Sequence, residues 1–370
     1  MIFNILDEGF IAKHHPDDPT PIACGSRCVV ADNGDLVCGY TVQSALGVND
    51  FVPTISRSTD SGYHWSTQGA IWPHLTRQYS INGNISRAPS GELFLYGIHI
   101  PIDTFGEKFW SDATGGIKQN DIFWARSTDD GRTWTPPSVI PKPTAGSAEA
   151  PGPMCITRRG RWLACYAPYK TFDPAITMDR RQIVSVFSDD EGKSWSGQSM
   201  LRFEQENSAG AESWVVELAD GRLLGTCWHI NEGEGGDFPN KFALSTDGGT
   251  SWSSTRSTGI LGQSTGLAAL PDGRALFIYN QRKHGDPGVR LALVAPTETD
   301  FGVKADELIW RAETATQSDT SAEHDEWQDF AFGEPSVTVL DNGELLITLW
   351  CVQPSGQGVR HVRLKMDERG

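Results

Sequence analysis

Three glutamates carry the chemistry that this sequence most readily supports. Glu149 (in SAEAPGPM), Glu212 (GAESWVV) and Glu334 (FGEPSVTV) each stand at the head of a strand-like segment. Glycoside hydrolysis requires two carboxyl groups across a sugar-sized gap, one to protonate the leaving oxygen and one to act as nucleophile or base. A glutamate facing a poorly solvated opening has its pKa raised, which suits the proton donor. Glu212 is expected to react, with Glu149 or Glu334 as its partner.

Arg27 (CGSRCVV), Asn84 with Arg87 (GNISRAP), and Ser264 with Thr265 (GQSTGLA) head other strands in the same way. The segments that follow offer Asp50, His99, Tyr169, Lys170, His229, Arg282, Lys283, His284, Asp286 and Arg290. Arg27, Arg290, Asp50, Tyr169, Arg282 and His284 are expected to bind substrate, and His229 to stand beside the reacting carboxylates. A lyase acting on a uronic acid would instead need a His or Tyr as base and acid, with a cation to stabilise the enolate. His229, Tyr169, Arg290 and His284 could fill those places. A non-catalytic surface for sugar or protein is a third reading.

Repeated elements must position these residues. Six segments read as strand, tight turn, strand: CVVADNGDLVCGY, ISRAPSGELFLYG, MCITRRGRWLACY, WVVELADGRLLGTCW, GLAALPDGRALFIY and VTVLDNGELLITLW. Their turn glycines are Gly34, Gly91, Gly160, Gly221, Gly273 and Gly343. The Asn-Gly and Asp-Gly pairs predict two-residue hairpin turns with positive φ. After each of the first four hairpins comes another strand and an octapeptide: STDSGYHW, STDDGRTW, SDDEGKSW and STDGGTSW. Serine, aspartate and glycine at these spacings suit a turn whose carboxylate accepts backbone N–H groups, with the tryptophan anchoring it to the sheet. Four antiparallel strands recurring every ~50–70 residues make the blade of a propeller. Six units give six blades in one all-β domain spanning 1–370. Unit five keeps only the remnant APTETDFG, and unit six ends at HVRLKMDERG without a fourth strand. The segment IFNILDEGFIA near the amino terminus is expected to supply that strand and close the ring.

Composition narrows the partners. The 370 residues carry a formal net charge of −16, which would repel a phosphate backbone, so nucleic acid is an unsuitable partner. No apolar run approaches the ~20 residues of a membrane span. The first residues lack the basic and apolar regions of a signal peptide. The seven cysteines are odd in number and sit mostly in apolar runs, as buried free thiols of a reducing compartment do. Cys24 and Cys28 lack a second ligand pair, so no metal is expected. A cytoplasmic protein that acts on an oligosaccharide without a cofactor is the expectation.

The octapeptides resemble the Asp-box (BNR) repeats of the sialidase superfamily, whose members are six-bladed propellers. The resemblance places the pocket at the channel mouth opposite the octapeptide turns. It also implies three arginines on a substrate carboxylate, a tyrosine nucleophile supported by a glutamate, and an aspartate as acid and base. Arg27 is similar to the first arginine, Arg290 is placed like the third, and Glu212 looks like the supporting glutamate. Trp228 and His229 stand where the second arginine belongs, Glu334 where the tyrosine belongs, and Asp50 is the acid offered by the first blade's loop. The glutamate pair itself resembles the exo-arabinanases built on the same fold.

Overall fold

Gly34, Gly91, Gly160, Gly221, Gly273 and Gly343 all adopt positive φ, at 84, 93, 85, 89, 89 and 80°. In the first hairpin Gly34 N–H donates to Ala31 O at 3.0 Å, and Ala31 N–H donates to Asp35 O at 2.8 Å. The same two bonds recur at Ala88–Glu92, Thr157–Arg161, Leu218–Arg222, Leu270–Arg274 and Leu340–Glu344. Each turn therefore contains one left-handed residue, the glycine, and not the two that a type I′ turn at an Asn-Gly or Asp-Gly pair would need. This is the longer hairpin turn that ends in a left-handed glycine, and it differs from the expected type.

The computed structural model describes residues 2–233, 236–283, 285–318 and 327–367. Six antiparallel sheets of four main strands form a β-propeller, each following the chain from the innermost strand outward. The innermost strands are Ile22–Val30, Tyr79–Arg87, the pair Ser147–Glu149 and Cys155–Ile156, Ser208–Glu217, Gln263–Ala269 and Phe332–Val339. Blade three's innermost strand is split because Pro151 and Pro153 cannot donate to the ladder. In blade six the order reverses at the edge: Phe3–His14 pairs with Gly356–Met366 and supplies the outer strand, as the sequence led us to expect. Closure leaves no blade with an unpaired gap in the ring.

Six apolar cores fill the six gaps between neighbouring blades. In blade two Leu93 and Leu95 face Val37 and Ile55 of blade one, while Phe94 and Tyr96 face Trp162 and Tyr166 of blade three. Alternate residues of one strand thus enter two different cores, so the second strands read as continuous apolar runs. Cys38, Cys165 and Cys227 lie in these gaps, and all seven cysteines are free thiols.

The octapeptides form four turns with the same serine and aspartate hydrogen bonds. Ser58 Oγ accepts Gly62 N–H at 2.7 Å and donates to Asp60 Oδ1 at 2.8 Å, and Asp60 Oδ1 also accepts His64 N–H at 2.9 Å. Ser127 with Asp129, Ser188 with Asp190, and Ser245 with Asp247 repeat this arrangement. Trp65, Trp134 and Trp195 each donate from Nε1 to the carbonyl of the turn glycine. Hydrogen bonds from the Ser194 hydroxyl and N–H, then from Ser188, hold the Asp190 carboxyl down at about 2. Four aspartates committed to their own turns, on four different blades, are architecture.

Candidate active site at the channel mouth

Four of the six innermost strands carry a bulge at the same place. The register slips between Cys24 and Arg27, Ala211 and Trp214, Gln263 and Gly266, and Gly333 and Ser336. Each bulge contains a left-handed residue: Gly25 (φ 63°), Glu212 (φ 52°), Ser264 (φ 51°) and Glu334 (φ 44°). A non-glycine residue in this region costs ~1–2 kcal/mol, and such residues gather where backbone strain serves a site. A bulge also re-aims its side chain out of the regular alternation. Here two of the re-aimed side chains are carboxylates.

The bulges hold one another across the ring. Gly25 N–H donates to Glu334 Oε2 at 2.7 Å, so the Glu334 carboxylate lies beside the bulge of the next blade that has no side chain. Glu212 N–H donates to Glu149 Oε2 at 3.0 Å. Ser264 Oγ donates to Glu212 Oε1 at 3.2 Å, and Thr265 Oγ1 donates to the Glu212 carbonyl at 3.0 Å. The other oxygen of Glu212, Oε2, is buried with no hydrogen-bond partner. From blade two, Asn84 Nδ2 donates to Ala150 O at 3.3 Å, and its Oδ1 is also buried without a partner.

The three glutamates share one electrostatic environment. Burial, followed by the charge of Glu212, pushes the Glu149 carboxyl well above the usual range, and Arg180 opposes this. Burial and then Glu334 push Glu212 up to about 8, against the pull of Arg27, Arg282 and the Ser264 hydroxyl. Carboxyls that interact in this way disfavour one another's ionisation, so their protons come off in coupled steps.

The arginines here are engaged by backbone carbonyls. Arg27 Nη1 donates to Ser26 O at 2.8 Å and to Glu334 O at 2.9 Å, and Nη2 donates to Pro151 O at 3.1 Å. Arg282 donates from Nε to Phe332 O at 3.2 Å, from Nη1 to Gln263 Oε1 at 3.1 Å, and from Nη2 to Phe332 O. Burial lowers the Arg282 pKa to about 9, although Glu212 and Glu334 favour its charge. Tyr169 lies near the glutamates with the Arg180 guanidinium 4.2 Å from its ring centre, and burial raises its pKa. Arg180 in turn pairs with Glu232 of blade four.

The remaining candidates lie elsewhere. Arg290 is held by Asp306 at 2.8 Å and by the Tyr279 hydroxyl at 3.0 Å, out on blade five's third strand. His229 is fully buried, stacked between Phe203 and Phe238 at ring separations of 4.5 and 4.6 Å, and burial lowers its pKa to about 4. Asp50 closes its own loop by accepting Ser44 N–H on both oxygens. His284 lies outside the described residues. Arg180 and the bulge residue Gly25 belong to the site and were not anticipated. Nothing local in the sequence marks Arg180, but the bulges had a signal: Gly25, Glu212, Ser264 and Glu334 each stand nine residues before Gly34, Gly221, Gly273 and Gly343.

The channel's other end, on the side of the hairpin turns, opens into a cavity of about 770 Å³. Its one acid, Glu217, is paired with Arg158 at 3.4 Å, so the acid chemistry belongs to the glutamate end. Among the described residues no group of three His, Cys, Asp or Glu side chains could hold a metal ion. No helix among them is long and apolar enough to cross a membrane.

Comparison with known proteins bears on the family and the fold. Residues 34–347 match the model of the BNR repeat-like domain. A sialidase from Micromonospora viridifaciens is 28% identical over 247 residues, covering 60% of this chain and 34% of its own length. The chain thus spans about a third of that relative. Among solved structures, the Hadza microbial sialidase Hz136 superposes with a TM-score of 0.68 at 17% identity, covering 97% of this chain and 68% of its own. The α-L-arabinanase of Penicillium chrysogenum, complexed with arabinobiose, superposes with a TM-score of 0.64 at 16% identity over 99% of both chains.

Proposed function

Because this chain belongs to the BNR repeat-like domain family, we propose that it is a glycoside hydrolase that removes a terminal residue from a small oligosaccharide. The reading rests on one observation above all: Glu212 N–H holds the Glu149 carboxylate at 3.0 Å, which brings two carboxyl groups from adjacent blades to one channel mouth. Glu212, protonated near neutral pH and with Oε2 unengaged, is the general acid that donates its proton to the glycosidic oxygen. Glu149, oriented by the Glu212 amide, is the partner carboxylate; burial and the Glu212 charge raise its pKa, and the Glu212 N–H and Arg180 oppose them. The bond from the anomeric carbon to the leaving oxygen breaks, and water supplies the replacing hydroxyl, with one proton returned to the pair. Glu334 adds negative charge beside Glu212 and keeps its proton in place.

A neutral sugar suits this mouth better than a carboxylated one. A substrate carboxylate is best held by a free guanidinium fork, and the forks of Arg27 and Arg282 are already occupied by carbonyls and an amide oxygen. Seven unpaired thiols fit a reducing compartment, where imported fragments would be the substrates. The test is turnover against a panel of aryl glycosides, including arabinofuranosides, hexosides and sialosides. Glu212→Gln should lower turnover by ~10²–10⁴-fold while the protein keeps its fold. Unchanged turnover removes Glu212 from the mechanism, and a product absorbing in the ultraviolet from a new double bond replaces hydrolysis by elimination.

A further inference from the structure

One side chain reaches the chain beside all three glutamates, by backbone carbonyls at two of them and by an indole ring at the third. Arg27 Nη1 donates to the carbonyl of Glu334 itself, at 2.9 Å. Nη2 donates at 3.1 Å to Pro151, two residues after Glu149. The guanidinium carbon lies 4.7 Å from the ring centre of Trp214, two residues after Glu212. Nη1 also caps Ser26 O at 2.8 Å, a carbonyl that further accepts the hydroxyls of Ser336 and Thr348 from blade six. Arg27 is 2% exposed, and its outer side faces the cavity at the far end of the channel.

We propose that Arg27 is the positioning residue of this site, fixing the strand segments that carry Glu149, Glu212 and Glu334, and that it does not bind substrate. Only arginine suits this place. Its rigid planar fork reaches carbonyls from three blades at once while its face stacks on an indole. Three of its five N–H donors are taken by carbonyls and Nε is buried, so a side chain 2% exposed offers little to a ligand. The left-handed Glu334 needs such support, because nothing in its own strand favours that conformation. The fixed charge has a second effect. Around Glu212 stand Glu149 and Tyr169 of blade three, Arg282 and Ser264 of blade five, Glu334 of blade six, and Cys24 with Arg27 of blade one. Arg27 and Arg282 are the cations that temper Glu212 in this carboxyl-rich mouth.

The inference rests on the hydrolase reading for its kinetic arm but not for its spectroscopic one. Arg27→Gln and Arg27→Lys are compared with the wild-type chain, using ¹³C-carboxyl NMR of glutamate-labelled protein and turnover of the best aryl glycoside. Losing the charge removes a force that favours ionised Glu212, so in Arg27→Gln the Glu212 titration, identified by its absence in Glu212→Gln, should move to higher pH. Arg27→Lys should leave it near its wild-type position. Both variants should lose kcat by ~10–100-fold, the scale of misplaced reacting groups, with KM changed less than about twofold. An unmoved titration in Arg27→Gln overturns the proposal whether or not any glycoside is cleaved. So does a KM raised more than about tenfold at constant kcat. Should neither variant fold, the wild type decides: the Arg27 guanidinium protons should exchange slowly with solvent, and rapid exchange overturns the assignment.

Discussion

The amide of Glu212 donates to the Glu149 carboxylate at 3.0 Å, so the backbone of one blade orients a carboxyl group of its neighbour. The bond depends on the bulge at Glu212, where φ of 52° re-aims both the amide and the side chain. Ionising the acid and holding its partner are thus linked through one residue. The consequences can be measured at four places.

Glu334 is the charged neighbour that raises the Glu212 carboxyl most, after burial itself. Neutralising it in Glu334→Gln should let Glu212 ionise at lower pH. Activity that needs protonated Glu212 is lost on the alkaline side of the pH profile, so that limb should move down in pH. A pH–kcat series on the two proteins measures it; a limb that stays in place, or moves up, contradicts the assignment of Glu212 as the acid.

Glu212→Gly should exchange activity for stability. The folded chain holds this carboxyl at about 8, above its usual value of 4.5, so its contribution to stability is present at low pH and is lost as pH rises through about 8. Glycine removes that ionisation and the left-handed strain of ~1–2 kcal/mol, against an entropic cost of ~1 kcal/mol. Denaturation midpoints at pH 4 and pH 9 should differ little and clearly, respectively, with a gain of ~1–3 kcal/mol at pH 9 and turnover abolished.

His229 tests whether aromatic packing or proton transfer explains a fully buried histidine. Its pKa of about 4 in the folded chain lies below the usual 6.5, so its contribution to stability is held above pH 6.5 and is lost as pH falls toward 4. His229→Phe should complete the stack with Phe203 and Phe238, keep turnover within about twofold, and resist acid better than the wild type over that window. Acid unfolding curves and kcat measure both; a large loss of kcat would return His229 to the chemistry.

Ser127→Ala removes the hydroxyl that accepts Gly131 N–H at 2.9 Å and donates to Asp129 at 2.7 Å. Leaving the buried N–H without a partner should cost ~1–3 kcal/mol in urea unfolding. Turnover of the surviving folded protein should be unchanged, because this turn lies at the opposite end of its blade from the glutamates.

Much of the architecture was legible because it is local. A left-handed glycine, an Asn or Asp before it and alternating or apolar runs on either side state their hydrogen bonds within a few residues. Six hairpins and four octapeptides therefore counted the blades. A sixth unit lacking its outer strand pointed to Phe3–His14. The type of hairpin turn was misjudged, since an Asn-Gly pair serves both the two-residue turn and the longer one with a single left-handed glycine.

The glutamates could be nominated from their places at the strand heads, and their nine-residue offset from the hairpin glycines was present in the chain. A left-handed glutamate, however, looks like any other glutamate in a sequence; its partners Arg27, Gly25 and Ser264 come from other blades. The same holds for the cations. Arg27 and Arg290 both read as ligands for a substrate, yet one is bonded to carbonyls at the channel's centre and the other to Asp306 on an outer strand. Sequence alone determined the blades, their number and the strand that closes them, because each is specified by contacts a few residues apart. Which polar groups meet at the mouth was decided only by the closed ring, because those groups come from units separated by ~50–70 residues and acquire their partners when the blades pack.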